Sequence, residues 1–268
     1  MFRLNGKVAV ITGAGGIICS ELAKDLAGVG AKIALLDLSL ERAQAATDVI
    51  TQAGGDAIAV EADVLSEESL KKAKDSVLNK FGKIDILING AGGNSPKATT
   101  NPDQTFFDLP VDAIKWVFDL NFMGTVLPTQ IFGKLMADQK TGCIVNIASM
   151  ASYRPLTKVL AYSSSKSAIV NYTEWMAVHF CQNYSPEIRV NAIAPGFLLT
   201  EQNRFLLTNE DGSLTPRGDS VIRSTPMARF GRPDEMSGAV IYLCSDAATF
   251  VTGTVLPIDG GFNAFSGV

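Results

Sequence analysis

The chain has 268 residues, of which 47% are hydrophobic and 19% are charged, and its formal net charge is −4 at pH 7. This composition excludes a disordered polymer and provides enough apolar material for a folded core. The negative net charge and the lack of any run of five Lys and Arg residues argue against a nucleic-acid-binding surface.

Cysteine and histidine usage narrows the class of protein further. The four cysteines (Cys19, Cys143, Cys181 and Cys244) are widely spaced and form no C-x-x-C pair, which favours reduced thiols over a disulfide framework.

No signal-peptide pattern is visible, and no apolar run approaches the roughly 20 residues that span a bilayer. We therefore expect a cytoplasmic protein with no membrane or nucleic-acid partner. His179 is the only histidine, so we predict neither a metal site nor a Ser-His-Asp hydrolase site.

Short β-branched runs alternate with longer helical segments along the chain. Strands are predicted at residues 7–12, 32–37, 57–62, 83–89, 143–148, 188–194 and 254–259. Helices are predicted between them at residues 20–31, 40–53, 67–81, 111–137, 159–184 and 233–245. The strands lack a regular polar alternation, as expected when helices cover both faces of a sheet. The repeated βαβ units predict an α/β fold: one doubly wound, parallel-sheet, Rossmann-type three-layer domain over residues 1–268.

Two long segments interrupt this rhythm, at residues 92–110 and 198–226. Each follows the end of a predicted strand, on the side where open α/β sheets bind ligands. We interpret both as substrate loops, although surface insertions of this kind are also tolerated without a function.

The sequence TGAGGIIC joins the first predicted strand to the first helix. Gly13, Gly15 and Gly16 allow the backbone to approach a pyrophosphate, which the helix N-terminus attracts. Because Ile17 tolerates a positive φ poorly, the turn is predicted within the Gly15–Gly16 pair. Cys19 is predicted to be a buried packing residue and not a reactive thiol.

Asp37 closes the second predicted strand, 24 residues after Gly13. An acidic side chain at this position can accept hydrogen bonds from an adenosine ribose and would repel a 2′-phosphate. Gly16 and Leu38 supply no cation to receive that phosphate, so the sequence predicts NAD(H) in preference to NADP(H). Further cofactor contacts are predicted at the start of the first helix and at the ends of neighbouring strands: Ile17, Ile18, Leu38, Asp63, Val64, Asn89, Gly90 and Ala91.

The sequence YSSSK places Tyr162 and Lys166 four residues apart in a predicted helix, so both side chains lie on one face. A nearby ammonium group favours tyrosinate and would lower the pKa of the phenol from its usual value of about 10. Tyr162 is therefore predicted to exchange a proton with an alcohol or carbonyl oxygen. Ser149, at the end of the fifth predicted strand, can hydrogen-bond the same oxygen.

These motifs together resemble the short-chain dehydrogenase/reductase family over essentially the whole chain. The similar segments are TGAGGIIC, ADV at 62–64, NGAG at 89–92, DLNFMGT around Asn121, YSSSK, PGFLLT at 195–200, GRPDE at 231–235 and VTGTVLPIDGG at 251–261. The resemblance implies a Rossmann-type subunit, nicotinamide-dependent redox chemistry and a catalytic tetrad of Asn121, Ser149, Tyr162 and Lys166. It also implies that Lys166 holds the nicotinamide ribose and that Asn121 helps organise a water linked to Lys166. The remaining implied cofactor contacts are Pro195, Gly196 and Thr200.

Three positions depart from the family pattern. Ile17 and Cys19 stand where the family has glycine in T-G-x-x-x-G-x-G. Gly90 replaces the second Asn of the family motif N-N-A-G. These departures bear on the local geometry of the cofactor loop more than on the fold.

The segments NGAGGNSPKATT and APGFLLTEQNRFLL resemble the family branch that interconverts D-mannonate and D-fructuronate. A sugar acid needs hydroxyl partners and a cation for its carboxylate, preferably an Arg. Arg154, five residues after Ser149, is the first candidate for that cation, with packing at an interface or capping of a helix as the alternative. The predicted substrate contacts are Asn94, Lys97, Ser149, Arg154, Tyr162, Gln202, Asn203 and Arg204.

Two other functions fit the same motifs. A reductase of a polyol, a ketose or a 3-oxoacyl thioester would share the active-site residues, and a catalytically silent nucleotide-sensing protein would share the fold. The intact Ser149, Tyr162 and Lys166 argue against the silent protein. The resemblance also implies a homo-oligomer, a tetramer or a dimer. The apolar segments 111–137 and 159–181 are candidates for pairing the subunits.

Overall fold

A computed structural model of the protein describes residues 1–200 and 203–267. Its seven strands are β1 (Val8–Thr12), β2 (Lys32–Asp37), β3 (Ala57–Glu61), β4 (Ile86–Asn89), β5 (Gly142–Ile147), β6 (Ile188–Pro195) and β7 (Val255–Ile258). All of them pair in parallel, in the order β3–β2–β1–β4–β5–β6–β7. The direction of winding reverses between β1 and β4, and open α/β sheets bind ligands at such a crevice. The doubly wound α/β prediction is therefore confirmed.

Helices connect the strands on both faces of the sheet. Those in the described residues are α1 (Ile17–Gly28), α2 (Leu40–Gln52), α3 (Glu67–Phe81), α4 (Val111–Phe118), α5 (Gly124–Gln139), α6 (Leu160–Asn183), α7 (Arg204–Leu207), α8 (Pro216–Arg223) and α9 (Ser237–Cys244). Within the same residues, no helix combines the length and the apolar character needed to cross a membrane.

Each strand contributes to two hydrophobic cores, because successive residues of a strand point to opposite faces. On one face, Ile11 and Ile33 pack with buried residues of α1, α2 and α9. On the other face, Val10 and Leu36 pack with buried residues of α3, α5 and α6. Two-sided burial explains why the strand sequences show no polar alternation.

A row of buried polar side chains crosses the sheet just below its carboxyl edge. The parallel register places Asn89 of β4 beside Thr12 of β1 and beside Asn146 of β5. The Asn89 amide donates to Thr129 Oγ1 at 3.0 Å and to Asn146 Oδ1 at 2.8 Å, and the Asn146 amide donates to Thr173 Oγ1 at 2.9 Å. These hydrogen bonds tie α5 and α6 to the centre of the sheet, directly under the cavity described below.

Two helices differ from their predicted form. The segment predicted as one helix at 111–137 is divided into α4 and α5 by a π-helical turn, Asp119–Met123. The segment predicted at 233–245 begins as a 3-10 turn, Pro233–Met236, before α9. Hydrophobic periodicity does not distinguish a π or 3-10 turn from an α-helix of the same apolar pattern.

The two predicted substrate loops contain more regular structure than the sequence indicated. The first includes the 3-10 turns Pro96–Ala98 and Phe106–Asp108, and the second includes α7 and α8. The sequence carries a signal for α8, because Thr215 caps its start, accepting from the Gly218 N–H, and Pro216 occupies the first helical position.

Candidate active site

A cavity of about 700 Å³ lies at the carboxyl edge of the sheet. It extends from Asp37, at the end of β2, past the residues that follow β1, β4, β5 and β6, to Arg217 on α8. Both long segments that follow strand ends contribute to its walls. Its position agrees with the rule that open α/β sheets bind ligands at this edge.

The glycine-rich turn forms the floor at one end of this cavity. Gly13 adopts a left-handed conformation with a φ of +64°, and a Cβ on it would lie 2.7 Å from Ala91 Cα. The turn is therefore made at Gly13, and the prediction that it lies in the Gly15–Gly16 pair is wrong. Gly15 is needed for a different reason: a Cβ there would lie 2.5 Å from Arg42 Cβ and 3.0 Å from Asp37 Oδ2.

Helix α1 begins at Ile17 and points its N-terminus into the cavity. Its N-cap residue is Gly16, so no side chain accepts a hydrogen bond from the first turn of the helix. An uncapped first turn offers backbone N–H groups and the positive end of the helix dipole to an anion. The residues present therefore fit the pyrophosphate of a dinucleotide, which Ile17 and Ile18 would approach from the first turn.

Cys19 and Gly90 fit against each other across the start of α1. Cys19 is buried, and a Cβ on Gly90 would overlap the Cys19 Sγ atom. Two of the three departures from the family motifs are therefore complementary, because the thiol fills space that a side chain at position 90 would need. Burial raises the pKa of the Cys19 thiol to about 12, so the group stays protonated and packs as a small apolar side chain.

Asp37 is held in place at the end of the cavity where an adenosine ribose is predicted to bind. Its carboxylate is buried and accepts hydrogen bonds from the backbone N–H groups of Gly15 and Ser39, both at 2.9 Å. The Arg42 guanidinium lies 3.5 Å from Asp37 Oδ1 and also lines the cavity. Gly16 and Leu38 supply no cation, as the sequence indicates. Arg42 was not predicted to lie here, and the first turn of α2 brings it beside Asp37.

Most of the other predicted cofactor residues also line the cavity: Ile18, Leu38, Asp63, Val64, Gly90, Ala91, Pro195, Gly196 and Thr200. Asn89 does not line it and instead belongs to the buried polar row. Gly15 does not line the cavity, but its backbone N–H donates a hydrogen bond to the Asp37 carboxylate, which does. Gly196 is required for packing, because a Cβ there would lie 2.6 Å from Asp259 Cα.

Ser149, Tyr162 and Lys166 meet near the middle of the cavity. Ser149 follows β5, and Tyr162 and Lys166 lie on one face of α6, as predicted. The Lys166 ammonium lies 5.7 Å from the centroid of the Tyr162 ring and donates to the Ile147 carbonyl oxygen at 2.7 Å. The Ser149 hydroxyl accepts from the Ala151 N–H at 3.1 Å, so its own hydrogen can be donated to Tyr162 or to a ligand.

Burial controls the ionisation of these groups. It raises the pKa of the Tyr162 phenol, and a hydrogen bond with Ser149 only partly offsets that rise. Burial also lowers the pKa of Lys166 to about 8. The sequence predicted a lowered Tyr162 pKa, but desolvation of the phenolate raises the pKa instead. A phenol that stays protonated at neutral pH is suited to donate a proton to a carbonyl oxygen.

Asn121 lies in the π-helical turn between α4 and α5 and is fully buried. Its side chain accepts from the Gly93 N–H at 3.1 Å and donates to the Gly93 and Val117 carbonyls, each at 2.7 Å. A Cβ on Gly92 would lie 2.6 Å from Asn121 Oδ1 and 3.3 Å from Lys166 Nζ. The hydrogen bonds of Asn121 thus hold the loop after β4 beside Lys166.

The predicted substrate residues outside this central group are widely separated. Asn203 lines the cavity, where it accepts from the Thr200 N–H and donates to the Leu198 carbonyl. Asn94, Lys97 and Arg204 are exposed and do not line it. Arg154 does not line it either, because its guanidinium donates to the Asn263 carbonyl at 3.1 Å. Gln202 lies outside the described residues.

Several cavity residues were missed by sequence reasoning. The walls also include Trp116, Leu120, Leu156, Leu206, Leu207 and Arg217, a set that we call the substrate end of the cavity. Trp116 belongs to the segment 111–137 that was expected to pair subunits, but it is half exposed and lines the cavity. No local motif marks these positions, since they come from separate segments that only the fold brings together.

A dinucleotide cradle that opens onto a serine, a phenol and a buried lysine defines a class of protein: the nicotinamide-dependent dehydrogenases and reductases. The residues suited to hold a pyrophosphate and a ribose line the same cavity as the residues suited to proton transfer, so a cofactor and a carbonyl compound would meet there.

Comparison with known proteins identifies the family. Residues 13–263 match a family model described as enoyl-(acyl carrier protein) reductase. The chain is 48% identical over 275 aligned positions to the uncharacterized oxidoreductase UxuB of Bacillus subtilis, covering 99% of this chain and 98% of that protein. It is 35% identical to the 7α-hydroxysteroid dehydrogenase of Escherichia coli K12, covering 97% of this chain and 95% of that protein.

A solved structure agrees over the whole chain. A crystal structure of a Haemophilus influenzae protein with bound NAD, provisionally named a D-mannonate oxidoreductase, is 47% identical, with a TM-score of 0.93. The match covers 99% of this chain and 98% of that one. The chain belongs to the short-chain dehydrogenase/reductase family, which confirms the resemblance seen in its sequence, and it is an NAD(P)-dependent oxidoreductase.

Proposed function

We propose that the protein is an NAD(H)-preferring oxidoreductase that interconverts D-mannonate and D-fructuronate, or a similar sugar acid and its ketone. The convergence of Ser149, Tyr162 and Lys166 in the cavity that also contains Asp37 carries the reaction type. The substrate class is supported by the Haemophilus influenzae relative, whose provisional name refers to D-mannonate.

The active-site groups have distinct roles in the proposed reduction. Bound NADH supplies the hydride that reaches the carbonyl carbon of the ketone. Tyr162 donates its phenolic proton to the carbonyl oxygen, which becomes the hydroxyl of the product. Ser149 donates a hydrogen bond to that oxygen and orients it. The Lys166 ammonium stabilises the tyrosinate left by proton transfer, and in the reverse direction the tyrosinate takes the proton from the alcohol.

The cofactor preference rests on the environment of Asp37. The buried carboxylate occupies the place where an adenosine ribose would be recognised, and it would repel a 2′-phosphate. Arg42 is paired with Asp37 and would have to leave it to meet that phosphate. We therefore expect Asp37→Ser to lower the ratio of kcat/KM for NADH over NADPH by about tenfold or more, an energy of about 1.4 kcal/mol.

The double variant Asp37→Ser/Arg42→Ala separates the two contributions. If the released guanidinium binds the 2′-phosphate, the double variant should recover little NADPH activity compared with Asp37→Ser alone. An unchanged cofactor ratio in Asp37→Ser would contradict the proposed preference.

The reaction type is tested by following NADH oxidation with D-fructuronate. Tyr162→Phe removes only the phenolic oxygen and should lower kcat by about 10²- to 10⁴-fold, as expected for loss of a general acid. Tyr184→Phe is the matched control, because Tyr184 lies just beyond the other end of α6 and does not line the cavity. Turnover of other ketones with none of fructuronate would refute the sugar-acid assignment.

A second candidate function is favoured by the apolar walls at the substrate end. Leu120, Leu156 and Leu206 offer few hydrogen-bond partners to a polyhydroxylated substrate. Such walls suit a larger apolar carbonyl compound, such as a 3-oxoacyl thioester or the oxo-steroid class of the Escherichia coli relative. Comparing kcat/KM for fructuronate, a 3-oxoacyl thioester and a 7-oxo-steroid separates the two candidates.

We also propose that the protein is a homo-oligomer. Trp175 and Val178 expose 58% and 56% of their surfaces on α6, and Val111 exposes 63% on α4. The Trp175 ring stacks on His179, with ring centroids 4.6 Å apart. Exposed apolar side chains of this kind are typical of a subunit contact.

A further inference from the structure

Two short helices close the substrate end of the cavity. Leu206 and Leu207 of α7 and Arg217 of α8 line it. The Thr215 hydroxyl donates to the Leu206 carbonyl at 2.8 Å, and the Thr215 N–H donates to the Leu207 carbonyl at 3.1 Å. A Cβ on Gly218 would overlap the Leu207 carbonyl oxygen, so α8 packs directly on the backbone of α7. These contacts fix the place of Arg217, one residue before Gly218.

Among the residues that the structure describes, three cationic side chains line the cavity: Arg42, Lys166 and Arg217. Arg42 is paired with Asp37 at the adenosine end, and Lys166 donates to the Ile147 carbonyl beneath the phenol. Arg217 makes neither an ion pair nor a hydrogen bond with any residue in 1–200 or 203–267. It is therefore the cation at the substrate end that is available to a ligand.

The cationic side chains predicted from sequence to bind the substrate do not line the cavity. Arg154 donates to the Asn263 carbonyl, and Lys97 and Arg204 are exposed and do not line the cavity. A sugar acid still needs a partner for its carboxylate, because burying an unpaired carboxylate costs several kcal/mol.

We propose that Arg217 binds the carboxylate of the substrate and selects acids over neutral sugars; this inference rests on the proposed sugar-acid function. The guanidinium presents parallel N–H donors that match the two carboxylate oxygens. Arg217 is exposed and shares the cavity wall with Leu120, Leu206 and Leu207. Ser149 and Tyr162 hold the reacting oxygen while Arg217 holds the charged end, so the ligand is fixed at two points.

The test compares D-fructuronate with D-fructose, its neutral counterpart, in variants of known stability. Arg217→Ala should raise KM for fructuronate by about 10- to 100-fold, leave kcat within a few-fold, and leave kcat/KM for fructose unchanged. Arg217→Lys keeps the charge but loses the paired donors and should be intermediate. Arg154→Ala and Arg204→Ala are matched controls and should leave both substrates unaffected.

Gly218→Ala provides an independent variant that retains the guanidinium. Its methyl group would push α8 away from α7 and displace Arg217, so KM for fructuronate should rise without an effect on fructose. If Arg217→Ala leaves KM for fructuronate unchanged, or if Arg154→Ala raises it instead, the proposal is wrong while the proposed function stands.

A binding measurement separates this proposal from the proposed function. D-Mannonate is titrated into the enzyme–NADH complex, and NADH fluorescence reports its dissociation constant. If fructuronate is not reduced, yet mannonate binds the wild type and binds Arg217→Ala at least tenfold more weakly, the proposed function fails and the role of Arg217 stands. Equal binding by the two proteins, or no binding by the wild type, overturns the role of Arg217.

Discussion

The contact between Cys19 and Gly90 makes a quantitative prediction about two unusual residues. In Gly90→Ala, the new methyl group would overlap Cys19 Sγ and lie 2.9 Å from the Thr12 carbonyl oxygen, but it would lie 3.7 Å from Cys19 Cβ. Overpacking of this kind costs about 1–3 kcal/mol of unfolding free energy. For a chain of this size, each kcal/mol lowers Tm by about 2–4 °C.

Cys19→Ala removes only the sulfur atom, and by itself it should cost about 1 kcal/mol. In the double variant the methyl group at position 90 faces an ordinary 3.7 Å contact, and only the clash with Thr12 remains. The double variant should therefore lose less stability than the sum of the two single variants, with a coupling energy of about 0.5–3 kcal/mol.

The assay is a double-mutant cycle measured by thermal or denaturant unfolding, with NADH affinity measured by fluorescence. Both residues line the cavity at the start of α1, so Gly90→Ala should also weaken NADH binding, and Cys19→Ala should partly restore it. Gly93→Ala is the matched control for stability, because a Cβ there has no atom within 4 Å. Additivity within about 0.5 kcal/mol would refute the claim that the two residues compensate each other.

Three further predictions follow from the same structure. The value of kcat/KM for ketone reduction should fall as pH rises through about 8, because Lys166, whose pKa is lowered, loses its proton there. The raised pKa of Tyr162 keeps the phenol protonated over the same range. A profile that stays flat to pH 10 would contradict this prediction. Asn146→Ala should lower the unfolding free energy by about 1–3 kcal/mol, because the buried Asn89 amide loses a partner, and an unchanged Tm would contradict it. Trp175→Glu places a charge on the exposed apolar face of α6 and should reduce the mass measured by light scattering, whereas an unchanged oligomer would exclude this face as the subunit contact.

Much of the fold was predictable because its signals are local. Strand β2 and helix α3 were predicted to the residue, since a short β-branched run and an amphipathic helix with Ser66 as its cap are decided by neighbouring residues. The seven strands and the doubly wound parallel class followed from the alternation of strands and helices, whereas the strand order came from the structure. The division of α4 from α5 was not predictable, because the π-helical turn is stabilised by the bonds of Asn121 to the distant Gly93.

The features of the candidate site also fall into two groups, those marked by local sequence and those decided by the whole fold. Sequence by itself identified the glycine-rich loop, Asp37 and the spacing of Tyr162 and Lys166, because each is a local arrangement of residues on one strand end or one helix face. It did not identify Gly13 as the residue at which the loop turns. It did not determine the direction of the Tyr162 pKa shift, which depends on burial by the whole fold.

Only the tertiary structure decided how distant residues combine. It placed Cys19 against Gly90, which are 71 positions apart, and thereby turned two separate motif departures into one packing unit. It also brought Arg217 to the cavity and left Arg154 outside it, although Arg154 is far closer to Ser149 along the chain. The physical reason is that packing and charge act through space, so a residue's place in a site depends on the segments folded around it.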